Sequence, residues 1–164
     1  MPPLPFPSNI HQLPSYPKHR FEKMHSARNL HEAAFSGDYG SIEIMLSQGL
    51  SADLELQHCL TPLHKAAMNG HLDCAQLLVQ HGAEVNAVDA AGRSPLHYAA
   101  SNGYLKAVKW FVEEADATPG LQTKKGHTAR LFAKKHGHGK VAVYLAEVEN
   151  RLCGHPWLGT TLPT

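Results

Sequence analysis

The sequence predicts an all-α repeat solenoid of about four helix-turn-helix units, which are joined by protruding β-hairpin loops. The first observation is a repeated motif, since LTPLHKAAMNGH at 60–71 recurs with a few substitutions as RSPLHYAASNGY at 93–104. The second is the interval of 33 residues between the two copies. Self-similarity at a fixed period is typical of stacked units that each contact only their neighbours.

The same register finds two further copies, one 33 residues upstream at Leu30-His31 and a weaker one that begins one residue late at Thr128. We therefore expect a repeat domain over 26–151. The predicted parts of the chain are a Pro-rich disordered extension (1–25), four units (26–57, 58–90, 91–124, 125–151) and a flexible tail (152–164).

The first helix of a unit begins and ends at residues with local reasons to be there. Thr61 can cap the helix with its hydroxyl, and Pro62 suits the first helical position, where no N–H bond is lost. Gly70 suits the left-handed residue that closes a helix of about two turns. The same roles fall in the next unit to Ser94, Pro95 and Gly103.

A second helix and a returning arm complete each unit. LDCAQLLVQ at 72–80 predicts a helix with one apolar face, and Gly82 ends it. The face consists of Leu72, Ala75 (or Cys74), Leu78 and Val79. The segment after it predicts an extended arm and a tight turn, with Asp89 and Gly92 as turn residues.

The alanine pairs explain why one unit needs the next. Ala66-Ala67 and Ala99-Ala100 let neighbouring helices approach closely, so that Leu63 can be covered by Leu96 of the following unit. Burial of such a side chain contributes about 1.5–3 kcal/mol. This gain exists only in the stack, so stability is shared along the array.

The phrase TPLHxAAxxGH, the period of 33 and the GAEVN segment resemble the ankyrin repeat. The resemblance covers about 26–151. It implies a module that binds another protein through its hairpin tips and the exposed face of its inner helices. It also implies that Thr61 with His64, and Ser94 with His97, share hydrogen bonds that brace the hairpins.

The second unit departs from the family pattern at its hairpin. Leu56 and Cys59 stand where the family usually carries Asp and Gly. The departure predicts a distorted tip.

Composition excludes several classes of protein. A net charge of +1 gives no overall field that would attract nucleic acid or a membrane, and we expect neither as a partner. The apolar runs are too short to cross a bilayer. The three cysteines form no CxxC pair, which favours a reducing compartment, the cytoplasm or the nucleus.

Catalysis and metal binding are not expected, and no cofactor is predicted. The chain has thirteen histidines, but His64 and His97 recur with the repeat, and the pair His136 and His138 would need further ligands in space. GHGKVA matches a dinucleotide pattern only formally, because a helical segment precedes it and no acidic residue follows at the required distance.

We expect the partner to bind a concave face built from the inner helices and the hairpin tips. Phe35, Met68, Tyr98 and Phe132 are the apolar anchors of that face. In the alternative interpretation, Tyr98 or Phe132 only covers an adjacent helix. The full predicted set is Glu32, Phe35, His58, Lys65, Met68, Asn69, Arg93, Tyr98, Ser101, Asn102, Lys124, Lys125, Phe132 and Lys135.

The main prediction is a non-catalytic adaptor that is monomeric by itself. A second hypothesis gives a nuclear regulatory role to the basic stretch 124–140, which would contact an acidic partner or nucleic acid. That stretch is also explained as a solvated face of the fourth unit. PPLPFP in the N-terminal extension is a candidate ligand for an SH3- or WW-type domain.

Overall fold

A computed structural model of the protein describes residues 28–152. The predictions for the extension at 1–25, including PPLPFP, and for the tail from 153 onward lie outside the described residues. The helices within 28–152 are α1 (28–36), α2 (Tyr39–Ser47), α3 (Pro62–Asn69), α4 (Leu72–Gln80), α5 (Pro95–Ser101), α6 (Leu105–Glu113), α7 (Ala129–Lys135) and α8 (Gly139–Leu152). A short 3-10 helix covers Gln57–Cys59.

The helices are arranged as successive antiparallel pairs in two layers. In the inner layer, α3 packs on α5 and α5 packs on α7, while in the outer layer α2 packs on α4 and α6 packs on α8. Within the pairs, α3 contacts α4, α5 contacts α6 and α7 contacts α8. The predicted all-α repeat solenoid is confirmed.

The inner helix α3 begins and ends as its local sequence dictates. Thr61 Oγ1 accepts a hydrogen bond from the backbone N–H of His64, and Pro62 occupies the first turn. Gly70 ends the helix with a φ of 71°, in the left-handed region that glycine adopts without a steric penalty.

A second reason for these glycines comes from the neighbouring pair of helices. A Cβ atom at Gly70 would lie 2.6 Å from the ring of Tyr104. The residue that precedes each outer helix packs its ring on the glycine that closes the inner helix one pair earlier: His71 on Gly37, Tyr104 on Gly70 and His138 on Gly103. Glycine therefore serves both the turn and the stacking.

The core is continuous through all four pairs. Leu63 and Leu96 are 0% and 1% exposed, and Phe111 of α6 is fully buried with them. The alanine pairs are buried too, which allows α3 and α5 to lie against each other. Each pair of helices thus buries its apolar side chains against the next pair.

The connections between pairs are tight turns, and no strand is present among residues 28–152. The turns at 56–60, 89–93 and 123–127 are linked to one another by backbone bonds, from Ala90 N to His58 O at 2.8 Å and from Lys124 N to Ala91 O at 3.0 Å. One such bond between successive turns does not make a ladder. Within residues 28–152, the predicted β-hairpin loops are therefore present as tight turns without paired strands.

Candidate interaction surface

The inner face consists of the exposed sides of α1, α3, α5 and α7 together with the turns 56–60, 89–93 and 123–127. Buried histidines hold each turn to the preceding inner helix. His31 Nε2 lies 2.8 Å from Leu60 O, His64 Nε2 lies 3.0 Å from Arg93 O, and His97 Nε2 lies 3.1 Å from His127 O. This ladder fixes the spacing of the turns along the face.

The second ring nitrogen of His64 assigns its tautomer. Nδ1 accepts from the backbone N–H of Thr61 at 3.2 Å and lies 2.9 Å from the Thr61 hydroxyl. Because that backbone N–H can only donate, Nδ1 carries no proton, and Nε2–H donates to the carbonyl of Arg93. Ser94 and His97 repeat the arrangement at 3.1 and 2.9 Å.

Both histidines are neutral braces. Burial lowers the pKa of His64 and of His97 below the ordinary histidine value, and it outweighs the nearby carbonyls that favour the charged form. Protonation would also remove the acceptor that the backbone N–H groups of Thr61 and Ser94 use.

Asp89 organises the middle turn from a position that is only 4% exposed. Its Oδ1 accepts from the backbone N–H groups of Ala91 at 2.9 Å and Arg93 at 2.8 Å. Its Oδ2 accepts from the Arg93 guanidinium and from the Tyr98 hydroxyl, each at 2.8 Å. Burial alone would raise the pKa of Asp89, but these hydrogen bonds hold it below the usual value.

Tyr98 lies on the inner face and is also bonded to the turn 89–93 through Asp89. The Arg93 guanidinium lies 4.8 Å from the Tyr98 ring centroid, and the ring meets His64 edge-on at 5.8 Å. Burial, followed by the hydrogen bond to Asp89, raises the pKa of Tyr98 far above its usual range. The hydroxyl remains protonated and acts as a donor to the carboxylate.

Phe132 lies within a cluster of imidazole rings. His97 and His127 meet it edge-on at 5.6 and 5.9 Å, and His136 stacks on it at 6.3 Å with an interplanar angle of 11°. The ring is half-buried. These contacts, like those of Tyr98, fit the interpretation in which the two rings cover neighbouring residues.

Phe35 and Met68 are more available apolar side chains. Phe35 of α1 is 41% exposed, and Lys65 Nζ lies 5.6 Å from its ring centroid. Met68 of α3 is half-buried. They lie side by side in sequence register on successive inner helices.

Two asparagines predicted for the partner connect the inner helices. Asn69 Nδ2 donates to Phe35 O at 2.7 Å, and Asn102 Nδ2 donates to Met68 O at 2.6 Å. Their amides supply donors for carbonyls that a helix C-terminus leaves without an intrahelical partner.

The remaining predicted residues lie along the inner face at different heights. Glu32 is exposed on α1, and His58, Lys124 and Lys125 are exposed on the turns. Ser101 Oγ on α5 lies 3.2 Å from His136 Nδ1, and Lys135 is exposed on α7.

A family model described as ankyrin repeats, in three copies, matches residues 30–121, which is more than half of the 164 residues. The chain belongs to the ankyrin repeat family. A search of curated proteins found no match to it.

The ankyrin stack continues past the matched segment. Thr128 caps α7 by accepting from the backbone N–H of Leu131 at 3.4 Å, and the bond from His97 to His127 joins this pair to the one before. Arg130 and Glu149 form an ion pair at 2.7 Å between α7 and α8. A polar outer side of this kind suits the last unit of an ankyrin array.

The described part of the ankyrin stack offers neither a metal cluster nor a membrane span. Among residues 28–152, no three His, Cys, Asp or Glu side chains come together in a group that could hold a metal ion. No helix in the same range has both the length and the apolar character to cross a bilayer.

Sequence reasoning missed the central place of Asp89 in this ankyrin face. It identified Asp89 only as a turn residue, and it described Tyr98 as an anchor or as a cover for an adjacent helix, without its bond to Asp89. The available signal was the spacing of an acidic residue four positions before Arg93, which suits a turn that closes on its own carboxylate. The covering of Phe132 by His127 and His136 required the stacked structure.

Proposed function

We propose that this ankyrin repeat protein is a non-catalytic adaptor that binds a partner protein through its inner face. Ankyrin repeats are protein interaction modules. The observation that carries the proposal is the position of two apolar side chains, Phe35 and Met68, on a face whose other fully exposed residues are mostly polar or charged. Apolar anchors inside a polar rim are typical of binding surfaces.

The buried architecture supports this choice of face. His64 and Asp89 hold the inner helices and turns at fixed positions before any partner arrives. A preformed surface loses little conformational entropy on binding. We place the protein in the cytoplasm or the nucleus, where its free cysteines Cys59 and Cys74 would stay reduced.

The experiment compares two double variants that each truncate two apolar side chains. Phe35→Ala with Met68→Ala alters the inner face, whereas Ile44→Ala with Val143→Ala alters outer helices, where these side chains are 58% and 59% exposed. Tagged proteins are expressed in cells, and the proteins that they capture are quantified by mass spectrometry.

The proposal expects capture to fall on the order of 10-fold or more for the inner-face variant, since anchor truncation costs about 2 kcal/mol or more. The outer-helix variant should capture partners as the natural chain does. Thermal melts of both variants must show a folded stack. Equal capture by the folded inner-face variant would contradict the proposal.

A second role is open to the basic stretch 124–140, as a nuclear regulatory contact for an acidic partner or nucleic acid. The favouring observation concerns charge. Among residues 28–152 the ion pairs are Arg93 with Asp89 and Arg130 with Glu149, so Lys124, Lys125 and Lys135 form none. Unneutralised exposed cations attract anionic partners.

A further inference from the structure

Charge changes sign along the stack. Residues 28–57 contain five acidic and one basic residue, whereas residues 125–152 contain two acidic and six basic residues. The segments between them are intermediate, with three acidic and one basic residue at 58–90 and three acidic and four basic residues at 91–124. The net charge of +1 for the chain conceals this gradient.

The exposed groups of the inner face change from mixed charge at one end to uniformly positive charge at the other. At its α1 end the charges are mixed, because Glu32 and Arg28 are both exposed on α1 and Lys65 Nζ lies 5.6 Å from the Phe35 ring centroid. At its α7 end the exposed charges are the ammonium groups of Lys124, Lys125 and Lys135. The nearest carboxylate of the middle turn, Asp89, is buried and already paired with Arg93, so it does not offset these cations.

We infer that the inner face binds a protein segment whose acidic residues are concentrated in one half, and that this half lies across the turn 123–127 and α7. The other half of the segment lies toward α1, where the charges are mixed and Glu32 does not favour an acidic sequence. Complementary potentials of this kind fix the orientation of a partner and speed its association. The inference rests on the proposed binding role of the inner face.

Nucleic acid fits the same surface less well. Its charge is uniform along the backbone, so a strand that follows the stack would meet cations at α7 but only mixed charge at the α1 end. Single strands also need aromatic faces on which bases stack. His136 already covers one face of Phe132, and His97 and His127 lie against the same ring.

The test selects partners by chemistry. A phage library of random peptides of about 16 residues is selected on the full chain, because such a peptide reaches about 50 Å when extended and can cross four helices spaced about 10 Å apart. Selected peptides are sequenced, synthesised with a fluorophore and titrated by anisotropy. A labelled oligothymidine is titrated in parallel.

Two variants with the same change in net charge provide the comparison. Lys124→Glu with Lys135→Glu reverses the charge at two positions of the inner face. Lys106→Glu with Lys140→Glu reverses the charge at two exposed positions of the outer helices. We expect selected peptides to carry Asp and Glu in one half and to lose affinity on the order of 10-fold in the inner-face variant. The outer-helix variant should bind them nearly as the natural chain does.

The outcomes separate this inference from the binding role on which it depends. Peptides that bind the inner face without an acidic half, or that respond equally to both charge variants, would overturn the charge inference and leave the binding role intact. Tighter binding of oligothymidine than of any peptide, with the same loss in the inner-face variant, would replace the protein segment with nucleic acid. Peptides unaffected by Phe35→Ala with Met68→Ala would contradict the binding role itself.

Discussion

The turns at 56–60 and 89–93 close with equivalent backbone hydrogen bonds but differ in backbone conformation and in side chains. In the first, Leu56 N donates to Leu60 O at 2.9 Å and Cys59 N donates to Leu56 O at 3.1 Å. In the second, the equivalent bonds join Asp89 to Arg93 at 2.9 Å and Gly92 to Asp89 at 2.8 Å. The tip of the second unit keeps the same two bonds despite its departures from the family pattern.

The turns differ in the residues that support these bonds and in the φ values that the bonds require. Asp89 supplies a carboxylate that accepts two backbone N–H bonds, and Gly92 takes a φ of 79° without a Cβ. The earlier turn has Leu56 in place of the carboxylate, and His58 and Cys59 adopt φ values of 65° and 57°. The closing bonds are thus common to both turns, and the local sequence decides how much backbone strain each turn contains.

Truncation of core side chains gives the largest expected effect, and it tests whether the two turns are supported by one continuous hydrophobic core. Leu63 and Leu96 follow the two turns at equivalent positions and are 0% and 1% exposed. Leu63→Ala and Leu96→Ala should each lower the free energy of unfolding by about 2–5 kcal/mol, because each leaves a buried cavity. Urea unfolding followed by circular dichroism measures both values.

If both variants lose nearly the same free energy of unfolding, the core beneath the two turns is equivalent and the turns differ only in their own residues. A loss at only one of the two positions would contradict a core shared along the stack. Ile44→Ala serves as the surface control, since this side chain is 58% exposed and its truncation should cost far less.

Removal of the Asp89 carboxylate should be the next largest effect. Asp89→Ala leaves the N–H groups of Ala91 and Arg93 and the hydroxyl of Tyr98 without their acceptor, which we expect to cost about 1–3 kcal/mol. The matched change in the other turn, Leu56→Ala, removes no hydrogen-bonding group and should cost less than about 1 kcal/mol. Equal losses in urea unfolding would show that the carboxylate does not stabilise its turn.

The contrast between the turns also shows how far sequence reasoning could reach. The period, the caps at Thr61 and Pro62 and the glycine at Gly70 were predictable because each depends on local backbone chemistry. The packing of Tyr104 on Gly70 was not, because it joins different helix pairs.

The same limit applies to the candidate surface. The predicted position of Tyr98 on the inner helix followed from register, but its bond to Asp89 depends on how the turn folds back. The charge gradient was present in the sequence and becomes informative only once the order of the helix pairs in space is known.

Acid should destabilise the stack through the histidine ladder that supports the middle turn. The pKa values of His64 and His97 are lowered in the folded protein because the rings are buried, so the unfolded chain binds protons more readily. Their stabilising contribution is present above pH 6.5, the ordinary histidine value, and is lost as the pH falls from there through their folded values. Melting temperatures measured from pH 7.5 to pH 5 test the direction.

The control replaces each ring by a side chain that does not titrate. His64→Gln with His97→Gln should be less stable at pH 7.5 and should show a shallower decline toward pH 5. The pKa of Asp89 lies below the usual 3.8, so this carboxylate does not contribute to the change in melting temperature between pH 7.5 and pH 5. An unchanged slope in the double variant would assign the acid sensitivity to other groups.

The smallest effect comes from a change that makes the first turn resemble the second. Cys59→Gly removes a Cβ from a left-handed residue, a conformation that costs an L-residue about 1–2 kcal/mol. Glycine also lowers the free energy of unfolding by about 0.5–1 kcal/mol, because it raises the entropy of the unfolded chain. The net expectation is a stabilisation of about 0.5–1 kcal/mol, seen as a melting temperature that is higher by about 1–4 °C.

The reciprocal change sharpens the comparison. Gly92→Cys imposes the same left-handed strain, and its Cβ would also lie 2.8 Å from the backbone nitrogen of Lys124 in the next turn. It should therefore lower the melting temperature by more than Cys59→Gly raises it. If Cys59→Gly lowers stability instead, the Cys59 side chain contributes contacts that outweigh its backbone strain.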